Sequence, residues 1–467
     1  MRTEIPAGTL ELLTVPGLRP DKALKLYKEL GISSVEDLEQ AAKQERLKNV
    51  KGLGSALQRK ILQGIEIKRR SEGQRHLHRA AALLELAQAQ LMRSRPGVSR
   101  ITPAGAFRRG CELIGDLSLV AQVSDVHGAV YKQEDQSQLA LHLTDKQHYG
   151  AVLLLATGSQ EHLNELREIA AARGMTLDKD GLRKGDKIIA SESEEEIYCA
   201  LGLQFIEPEL REGRGELKAA REGALPDLIS VDDIRGDLHS HTTLSDGRNS
   251  LEEMAAAARE RGYAYLAITD HSASHGFGDH VTAERLWERV EEVREWNEGK
   301  RGFRLLAGSE INIGLDGALD YPDDLVEALD WVVASVHTSF SVGDEAMTER
   351  VLAAIENPNV DCIGHLTGRL IGRREPYGID VEAVAEAAAR TGKMLEINGN
   401  PNRRDLSEHH ARLAREAGAT IVLNTDAHGV DTLGNMAYAV ATARRAWLGP
   451  DDIANTRGWA AFKKLLK

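Results

Sequence analysis

The chain has 467 residues, enough for two to four domains, and its 42% hydrophobic and 28% charged residues are ordinary for a globular protein. Its three cysteines lie far apart and form no CxxC pair, which argues against a disulfide framework and a thiolate zinc site. No apolar run approaches the roughly 20 residues that span a bilayer, and the N-terminal residues show no signal segment. We therefore expect a cytoplasmic protein without a membrane partner.

The net charge of −13 conceals an asymmetry between the two ends of the chain. Residues 1–100 carry 19 Lys and Arg against 11 Asp and Glu, a net charge of +8, so the remainder carries −21. A basic head indicates a polyanionic partner, and an acidic body suits bound cations.

Residues 13–31 and 48–62 share one pattern: an apolar residue, a glycine turn, and a helical run with Leu or Ile at three- and four-residue spacing. Glycines in such turns let the backbone approach a phosphate, and helix N-termini offer free N–H groups. The pattern resembles the helix-hairpin-helix element, which binds the DNA backbone without sequence specificity. A plain helical bundle is the alternative. The resemblance implies DNA contacts from Gly17, Leu18, Lys22, Lys51, Gly52 and Gly54.

Residues 80–96 are predicted to form an amphipathic helix, and "FRRGCELIGD" and "YGAVLLLATGSQ" follow it. From here the chain resembles a bacterial family X DNA polymerase, which has a nucleotidyltransferase fold. The resemblance extends along nearly the whole chain, and we expect the family's N-terminal lyase domain to be missing.

Family X polymerases hold two metal ions on three carboxylates. Asp116 matches the first carboxylate, whereas Ser118 and Ala140 stand at the other two. Gly105-Ala106 replaces the triphosphate-binding Gly-Ser, and Leu155-Ala156 replaces the aromatic pair beside the sugar. One Asp cannot neutralise two divalent ions, so we interpret residues 97–220 as an inactive polymerase region. An active polymerase that uses Asp125, Asp135 or Asp145 in another register is the alternative.

From residue 234 onward, short apolar runs alternate with helical segments, which predicts parallel strands. Most of these runs end near residues that bind metals, and ligands at the C-terminal ends of successive strands are how a β/α barrel builds a site. Imidazoles and carboxylates without thiolates suit Zn, Mn or Fe. The candidate ligands are His239, His241, Asp246, His271, Glu310, His337, His365, Asp426 and His428.

This half resembles the PHP (polymerase and histidinol phosphatase) domain, a distorted (β/α)7 barrel with up to three divalent metal ions. The resemblance implies one ion on His239, His241, Glu310 and Asp426, a second on Glu310, His337 and His365, and a third on Asp246, His271 and His428. We predict Glu310, Asp426 and His239 as the catalytic residues. Arg369, Arg373 and Arg374 follow His365 and indicate a clamp for a substrate phosphate; a surface loop paired with local acids is the alternative.

The sequence thus predicts a multidomain α/β chain. A helix-hairpin-helix head (1–96), a degenerate palm and thumb (97–220) and a linker (221–233) precede the PHP barrel (234–467). The predicted function is metal-dependent phosphoester hydrolysis on DNA, as a 3′–5′ exonuclease or in other 3′-end processing during DNA repair. The alternatives are a small-molecule phosphatase, acting on histidinol phosphate or a mononucleotide, and a DNA-binding adaptor with an inert barrel.

Overall fold

The computed structural model describes residues 10–50, 52–95, 97–124, 139–274 and 281–466. The chain divides into two compact units: Met1–Gln74 with Gly368–Tyr377, and Arg75–Thr367 with Gly378–Lys467. The domain boundaries expected from the sequence are finer than this division and stay predictions. Among the described helices, none is long and apolar enough to cross a membrane.

The first unit contains a small helical head. One hydrophobic core includes Leu26, Leu38 and Ile61, all of which are fully buried. Gly17 and Gly52 have φ of +81° and +85°, a left-handed conformation that glycine adopts without steric cost, and a helix follows each turn. The helical segments are Leu12–Thr14 (3₁₀), Pro20–Leu30, Val35–Lys43, Arg46–Asn49 (3₁₀) and Ser55–Arg70.

The second unit begins with a mixed region of small sheets. The strands are β1 (Arg75–His76), β2 (Val98–Pro103), β3 (Leu113–Ile114), β4 (Leu117–Val123), β5 (Leu139–Thr144), β6 (Thr176–Asp178), β7 (Gly181–Lys184) and β8 (Lys187–Ala190). Strand β2 pairs antiparallel with β4, which pairs parallel with β5, whereas β6, β7 and β8 form an antiparallel meander.

The helices of this region include the predicted amphipathic helix 80–96, which begins earlier, at the buried Leu77, and ends at Ser94. The α-helices are Leu77–Ser94, Gly105–Arg108, Tyr149–Thr157, Gln160–Ala172, Glu194–Ala200 and Glu216–Glu222, with a 3₁₀ turn at Pro208–Leu210.

The rest of the second unit is a parallel seven-stranded sheet whose strands are neighbours in chain order. A parallel bridge between Ser240 and Ala427 joins the segments that follow the first and last strands, so the sheet is nearly closed into a barrel. The strands are β9 (Gly236–Asp237), β10 (Tyr265–Ile268), β11 (Arg304–Asn312), β12 (Trp331–Ser335), β13 (Cys362–Ile363), β14 (Met394–Asn398) and β15 (Thr420–Asn424). The predicted (β/α)7 barrel is confirmed.

Helices and short 3₁₀ turns connect and flank the barrel strands. Capping groups start several of them: Ser250 forms a capping box with Glu253, and Asp380 accepts a hydrogen bond from the N–H of Ala383. The α-helices are Leu251–Glu260, Ala283–Asn297, Asp323–Ala328, Asp344–Glu356, Val381–Thr391, Glu408–Glu416, Met436–Arg445 and Trp459–Phe462. The 3₁₀ turns are Val231–Asp233, Thr432–Asn435, Pro450–Asp452, Ala454–Thr456 and Lys463–Leu465.

Candidate metal centre

The carboxyl ends of the barrel strands bring the nine predicted ligand residues into one cluster. His239 and His241 follow β9, His271 follows β10, and Glu310 lies near the end of β11. Seven of the nine are buried, the exceptions being the partly exposed Asp246 and His428. The three remaining buried residues follow later strands: His337, His365 and Asp426.

Glu310 lies at the centre of this cluster. Its Oε2 atom is 2.9 Å from Nδ1 of His271 and 3.3 Å from Nε2 of His239. Its Oε1 atom is 2.9 Å from Nε2 of His365 and 3.1 Å from Nε2 of His337. One carboxylate therefore faces histidines that follow four different strands.

A second part of the cluster forms around His241. Its Nε2 atom lies 3.2 Å from Oδ1 of Asp426, and its ring stacks on those of His428 and His271 with centroids 4.2 and 4.4 Å apart. The Nε2 atom of His428 is 3.3 Å from Oδ2 of Asp246.

Three overlapping groups in the cluster have ligand atoms that all lie within 4.8 Å of one another. These groups share members with the three predicted ligand sets but differ from them in detail. The first lacks Asp426, the second contains His271 in place of His365, and the third also contains His241. The groups are His239, His241 and Glu310; His271, Glu310 and His337; and His241, Asp246, His271 and His428.

Two residues of the cluster have left-handed backbone conformations. The φ angles are +23° at His365 and +53° at Asp426. Such conformations cost on the order of 1–3 kcal/mol in a non-glycine residue and persist only where the surroundings fix them. The N–H of His365 donates to Oε2 of Glu396 at 2.8 Å, which helps to hold this conformation.

The electrostatics of the cluster favour ionised carboxylates. Burial raises the pKa of Glu310, but His337 and His239 outweigh burial and hold that pKa well below its usual range. Burial likewise opposes ionisation of Asp426, and the neighbouring His239 and His241 hold its pKa well below the usual range. Burial lowers the pKa of His241 to about 4, so its neutral ring can offer a lone pair.

The hydrogen bonding at Glu310 tests whether this donor set fits a cation. Both carboxylate oxygens are fully buried, and neither accepts a well-formed hydrogen bond from the described residues, although imidazole nitrogens surround them. A buried charge without hydrogen bonds is costly unless a counter-ion compensates it. Oxygen and imidazole ligands without sulfur fit a divalent transition metal. The residues present therefore fit bound metal ions.

Three known protein families match separate parts of the chain. A SAM-like helix-hairpin-helix tandem matches residues 9–66, a DNA polymerase beta thumb matches residues 152–212, and a PHP domain matches residues 237–400. The sequence is 35% identical to the DNA polymerase/3′–5′ exonuclease PolX of Bacillus subtilis, over 100% of this chain and 86% of that protein. The chain belongs to the PolX family. These proteins are family X DNA polymerases with a C-terminal PHP domain, as the sequence predicted.

Two further relatives match the PHP part alone. A probable phosphatase of Thermoanaerobacter is 33% identical over 232 residues, which are 47% of this chain and 89% of that protein. The probable phosphatase YcdX of Escherichia coli is 32% identical over 229 residues, with the same two shares. With the PHP match and the His, Asp and Glu cluster, these relatives identify the barrel of this PolX chain as a metal-dependent phosphoesterase domain, a hydrolase.

In the polymerase part of this PolX chain, the positions expected from the sequence to differ from the family pattern lie together. Ser118 of β4 faces Ala140 of β5 in the parallel register, and Asp116 immediately precedes β4. A Cβ atom built on Gly105 would lie 3.5 Å from Cβ of Ser118 and 3.8 Å from the carbonyl oxygen of Ala156. The substitutions therefore belong to one place in the fold.

Two of the three alternative carboxylates, Asp125 and Asp135, lie outside the described residues. The third, Asp145, is engaged locally. Its Oδ1 atom accepts a hydrogen bond from the backbone N–H of His148 at 2.9 Å and lies 2.8 Å from the Nδ1 atom of the same residue. Asp145 thus contacts His148, the residue that directly precedes the helix Tyr149–Thr157.

The predicted DNA-binding residues lie at the two glycine turns of the head. Lys22, on the first helix, reaches the second turn, because its Nζ atom is 3.9 Å from where a Cβ of Gly52 would lie. DNA is the partner that the PolX family and the hairpin match imply. The other described members are Gly17, Leu18 and Gly54, whereas Lys51 lies outside the described residues.

The three arginines predicted to bind a substrate phosphate belong to the same compact unit as the head. Arg369 lies one residue before the bridge that pairs Leu370 with Arg374. Arg373 is exposed, and Arg374 donates from Nε to the carbonyl oxygen of Gly368 at 2.8 Å. A cavity of about 180 Å³ is lined by Arg373, Arg374, Glu375, Pro16, Gly17, Lys60, Gln63, Gly64 and Ile67. A role toward phosphate stays a prediction for all three.

Sequence reasoning missed one acid beneath the metal cluster. Glu396 on β14 is fully buried, and its Oε1 atom lies 2.6 Å from Nδ1 of His239. Asn398, two residues later, donates to Glu396 and to Asp426 at 3.2 and 3.1 Å. Side chains alternate along a strand, so the position of Asn398 at the site was a signal that Glu396 shares its face.

Proposed function

We propose that this PolX chain is a metal-dependent 3′–5′ exonuclease that trims DNA ends, with a polymerase core that no longer incorporates nucleotides. The observation that carries the proposal is that all nine predicted metal ligands lie in one cluster at the carboxyl ends of the barrel strands, where seven of them form groups that could hold metal ions. An adaptor with an inert barrel has no need for a buried, strained and charged cluster of this kind.

The proposed reaction is hydrolysis of the terminal phosphodiester. The oxygen of a water molecule bonds to phosphorus, the bond from phosphorus to the 3′ oxygen of the preceding nucleotide breaks, and that oxygen takes a proton. The products are a nucleoside 5′-monophosphate and a strand shortened by one nucleotide with a free 3′ hydroxyl.

Divalent ions at the cluster would lower the pKa of water toward 7 and offset the charge on the phosphate. Glu310, held ionised by its histidine neighbours, would help to hold these ions. Glu396 accepts the Nδ1 proton of His239, which leaves Nε2 of His239 as the ligand atom. The ring of His241, buried and neutral, offers its lone pair beside Asp426.

The inactive polymerase core is proposed on the basis of its contacts as well as its sequence. The arginine pair after Gly105 is engaged in ion pairs: Arg108 donates to both carboxylate oxygens of Glu194 at 2.8 and 2.6 Å. Arg109 donates from Nε to Glu212 at 2.9 Å. Both cations are thus occupied, beside two paired strands on which Ser118 and Ala140 stand at the expected carboxylate positions.

The proposal assigns DNA binding to the two hairpins, through the backbone and without sequence preference. The left-handed glycine turns before two helices and the basic side chains nearby support this. Similarity of the barrel to two probable phosphatases favours one second candidate, a phosphatase that acts on small phosphomonoesters.

A single experiment separates these functions. The purified chain with Mn²⁺ is incubated with 5′-labelled single-stranded and primed DNA, with and without nucleotides. His239→Ala is the inactive variant, and His409→Ala, which changes an exposed histidine, is the matched control. Stepwise shortening in the wild type and in the control, its loss in His239→Ala and no extension support the exonuclease. Release of phosphate only from small esters would support the phosphatase instead.

A further inference from the structure

Arg403 lies beside the metal cluster and was not among the residues expected there. Its Nε atom is 3.8 Å from Oδ2 of Asp426, and its side chain is 18% exposed, so solvent reaches it. At this distance the guanidinium and the carboxylate form an ion pair rather than a hydrogen bond. The Arg403 guanidinium, which is permanently charged and has five N–H donors, thus lies at the edge of the site.

The charge of Arg403 works against the binding of cations. A fixed positive charge this close to a carboxylate that binds divalent ions weakens that binding by repulsion. An anionic group bound at the same place reverses the balance, because guanidinium pairs well with phosphate oxygens. Charge complementarity at this edge therefore favours a phosphate.

The loop that carries Arg403 is held from both sides. On the barrel side, the carbonyl oxygen of Asp405 accepts from the N–H of Asn398 at 2.6 Å, and its carboxylate accepts from the N–H of Thr367 at 3.0 Å. Asp405 is thus hydrogen-bonded to Asn398 of β14 and to Thr367, which lies two residues after His365.

On the other side, the polymerase region holds the loop. Arg404, only 1% exposed, donates from Nη2 to the carbonyl oxygen of Gly110 at 3.0 Å and from Nε to Thr442 at 2.9 Å. The carbonyl oxygen of Pro401 lies 3.2 Å from Nδ1 of His76. Residues on both flanks of Arg403 are therefore bonded to the segment 75–110.

We propose that Arg403 binds a phosphate oxygen of the substrate, and that the segment 75–110, which leads into the polymerase region, positions it through the contacts of Arg404 with Gly110 and of Pro401 with His76. This rests on the proposed phosphoester hydrolysis but not on DNA as the substrate. It gives the inactive core a role: it fixes the loop that presents a cation to the phosphate.

The test compares Arg403→Ala and Arg403→Lys with Arg390→Ala. The control removes a surface arginine whose ion pair with Glu356 is 62% and 55% exposed, a type of pair that contributes little. Binding of inorganic phosphate to the Mn²⁺-loaded chain is measured by calorimetry, Mn²⁺ binding is measured separately, and KM and kcat are measured on DNA.

Arg403→Ala is expected to weaken phosphate binding and raise KM about ten- to a hundredfold, while Mn²⁺ binding is unchanged or tighter. Arg403→Lys should recover part of the loss. Unchanged phosphate affinity in Arg403→Ala, or weaker Mn²⁺ binding as the main effect, would overturn the proposal. If the wild type binds phosphate through Arg403 but does not cut DNA, the exonuclease assignment fails and this inference stands.

The positioning role has its own variant, Arg404→Met, which keeps the volume of the side chain and removes both donors. It is expected to raise KM for DNA and weaken phosphate binding by several-fold, at temperatures where circular dichroism shows a folded chain. A lower melting temperature with unchanged phosphate affinity and KM would mean that Arg404 only stabilises the fold, and the positioning claim would be wrong.

Discussion

The Nδ1 atom of His239 lies 2.6 Å from the Oε1 atom of Glu396, and both side chains are fully buried. This carboxylate orients the imidazole so that Nε2 faces Glu310, at 3.3 Å from its Oε2 atom. A second Glu396 oxygen accepts the N–H of His365. One acid outside the predicted ligand set thus contacts two of the predicted ligands.

Glu396→Gln is therefore expected to weaken metal binding by about ten- to a hundredfold, the usual effect of removing a group that orients a ligand. The amide keeps the shape but no longer offers two anionic acceptors. Titration of the metal-free protein with Mn²⁺, followed by calorimetry, gives the affinity. Glu386→Gln, on the helix Val381–Thr391, is the control. Equal affinities in the two variants would show that Glu396 only fills space.

Lys22→Ala is expected to weaken DNA binding and to reduce the slope of log K against log salt by about one phosphate contact. The reason is that the Lys22 ammonium lies at the second glycine turn while its backbone belongs to the first helix. Lys28→Ala, in the last turn of the same helix, is the matched control. Binding to DNA of several sequences, measured by fluorescence anisotropy at a series of salt concentrations, gives both slopes. An unchanged slope in Lys22→Ala would place the DNA elsewhere.

Glu408 couples the stability of the second unit to pH. Burial opposes its ionisation, but hydrogen bonds and charges from Arg445 and Arg214 lower its pKa to about 2. A depressed carboxyl pKa contributes stability above the unfolded value of 4.5, and this is lost as pH falls toward 2. Glu408→Gln should cost about 3 kcal/mol at pH 7, and less at pH 3. Denaturant unfolding at both pH values measures this, and an equal cost at both would contradict it.

Asp116→Asn tests whether any polymerase activity survives. With Ser118 and Ala140 at the other two carboxylate positions, we expect no nucleotide incorporation in the wild type and none in the variant. A primed template, labelled nucleotides and Mn²⁺ are sufficient, with the barrel inactivated by His239→Ala so that shortening does not mask extension. Incorporation that Asp116→Asn abolishes would show an active core.

The metal cluster could be predicted from the sequence because its ligands lie in short local patterns at strand ends. His239-x-His241 and Asp426-x-His428 each place two donors within three residues, and the alternation of strand and helix brings such patterns to one end of a barrel. The barrel and the helical head were predicted for the same reason: their signals are periodicity, glycine turns and capping residues.

Contacts between distant segments could not be predicted in this way. The bond from Arg404 to Gly110 joins residues 294 positions apart, and nothing in either local sequence indicates it. In the sequence, Arg403 is indistinguishable from other charged residues of polar loops. Only the fold shows that it lies beside Asp426. Glu396 was missed because a single acid in an apolar strand has no pattern of its own.

We propose above that the barrel hydrolyses DNA from the 3′ end through its cluster of candidate metal ligands. The most direct test is to digest DNA with the Mn²⁺-loaded wild type and with Glu310→Gln, and to identify the released products by mass spectrometry. We expect nucleoside 5′-monophosphates from the wild type and none from Glu310→Gln, which loses a negative charge that would help to hold the ions. Equal release from both proteins, or no mononucleotide from the wild type, would contradict it.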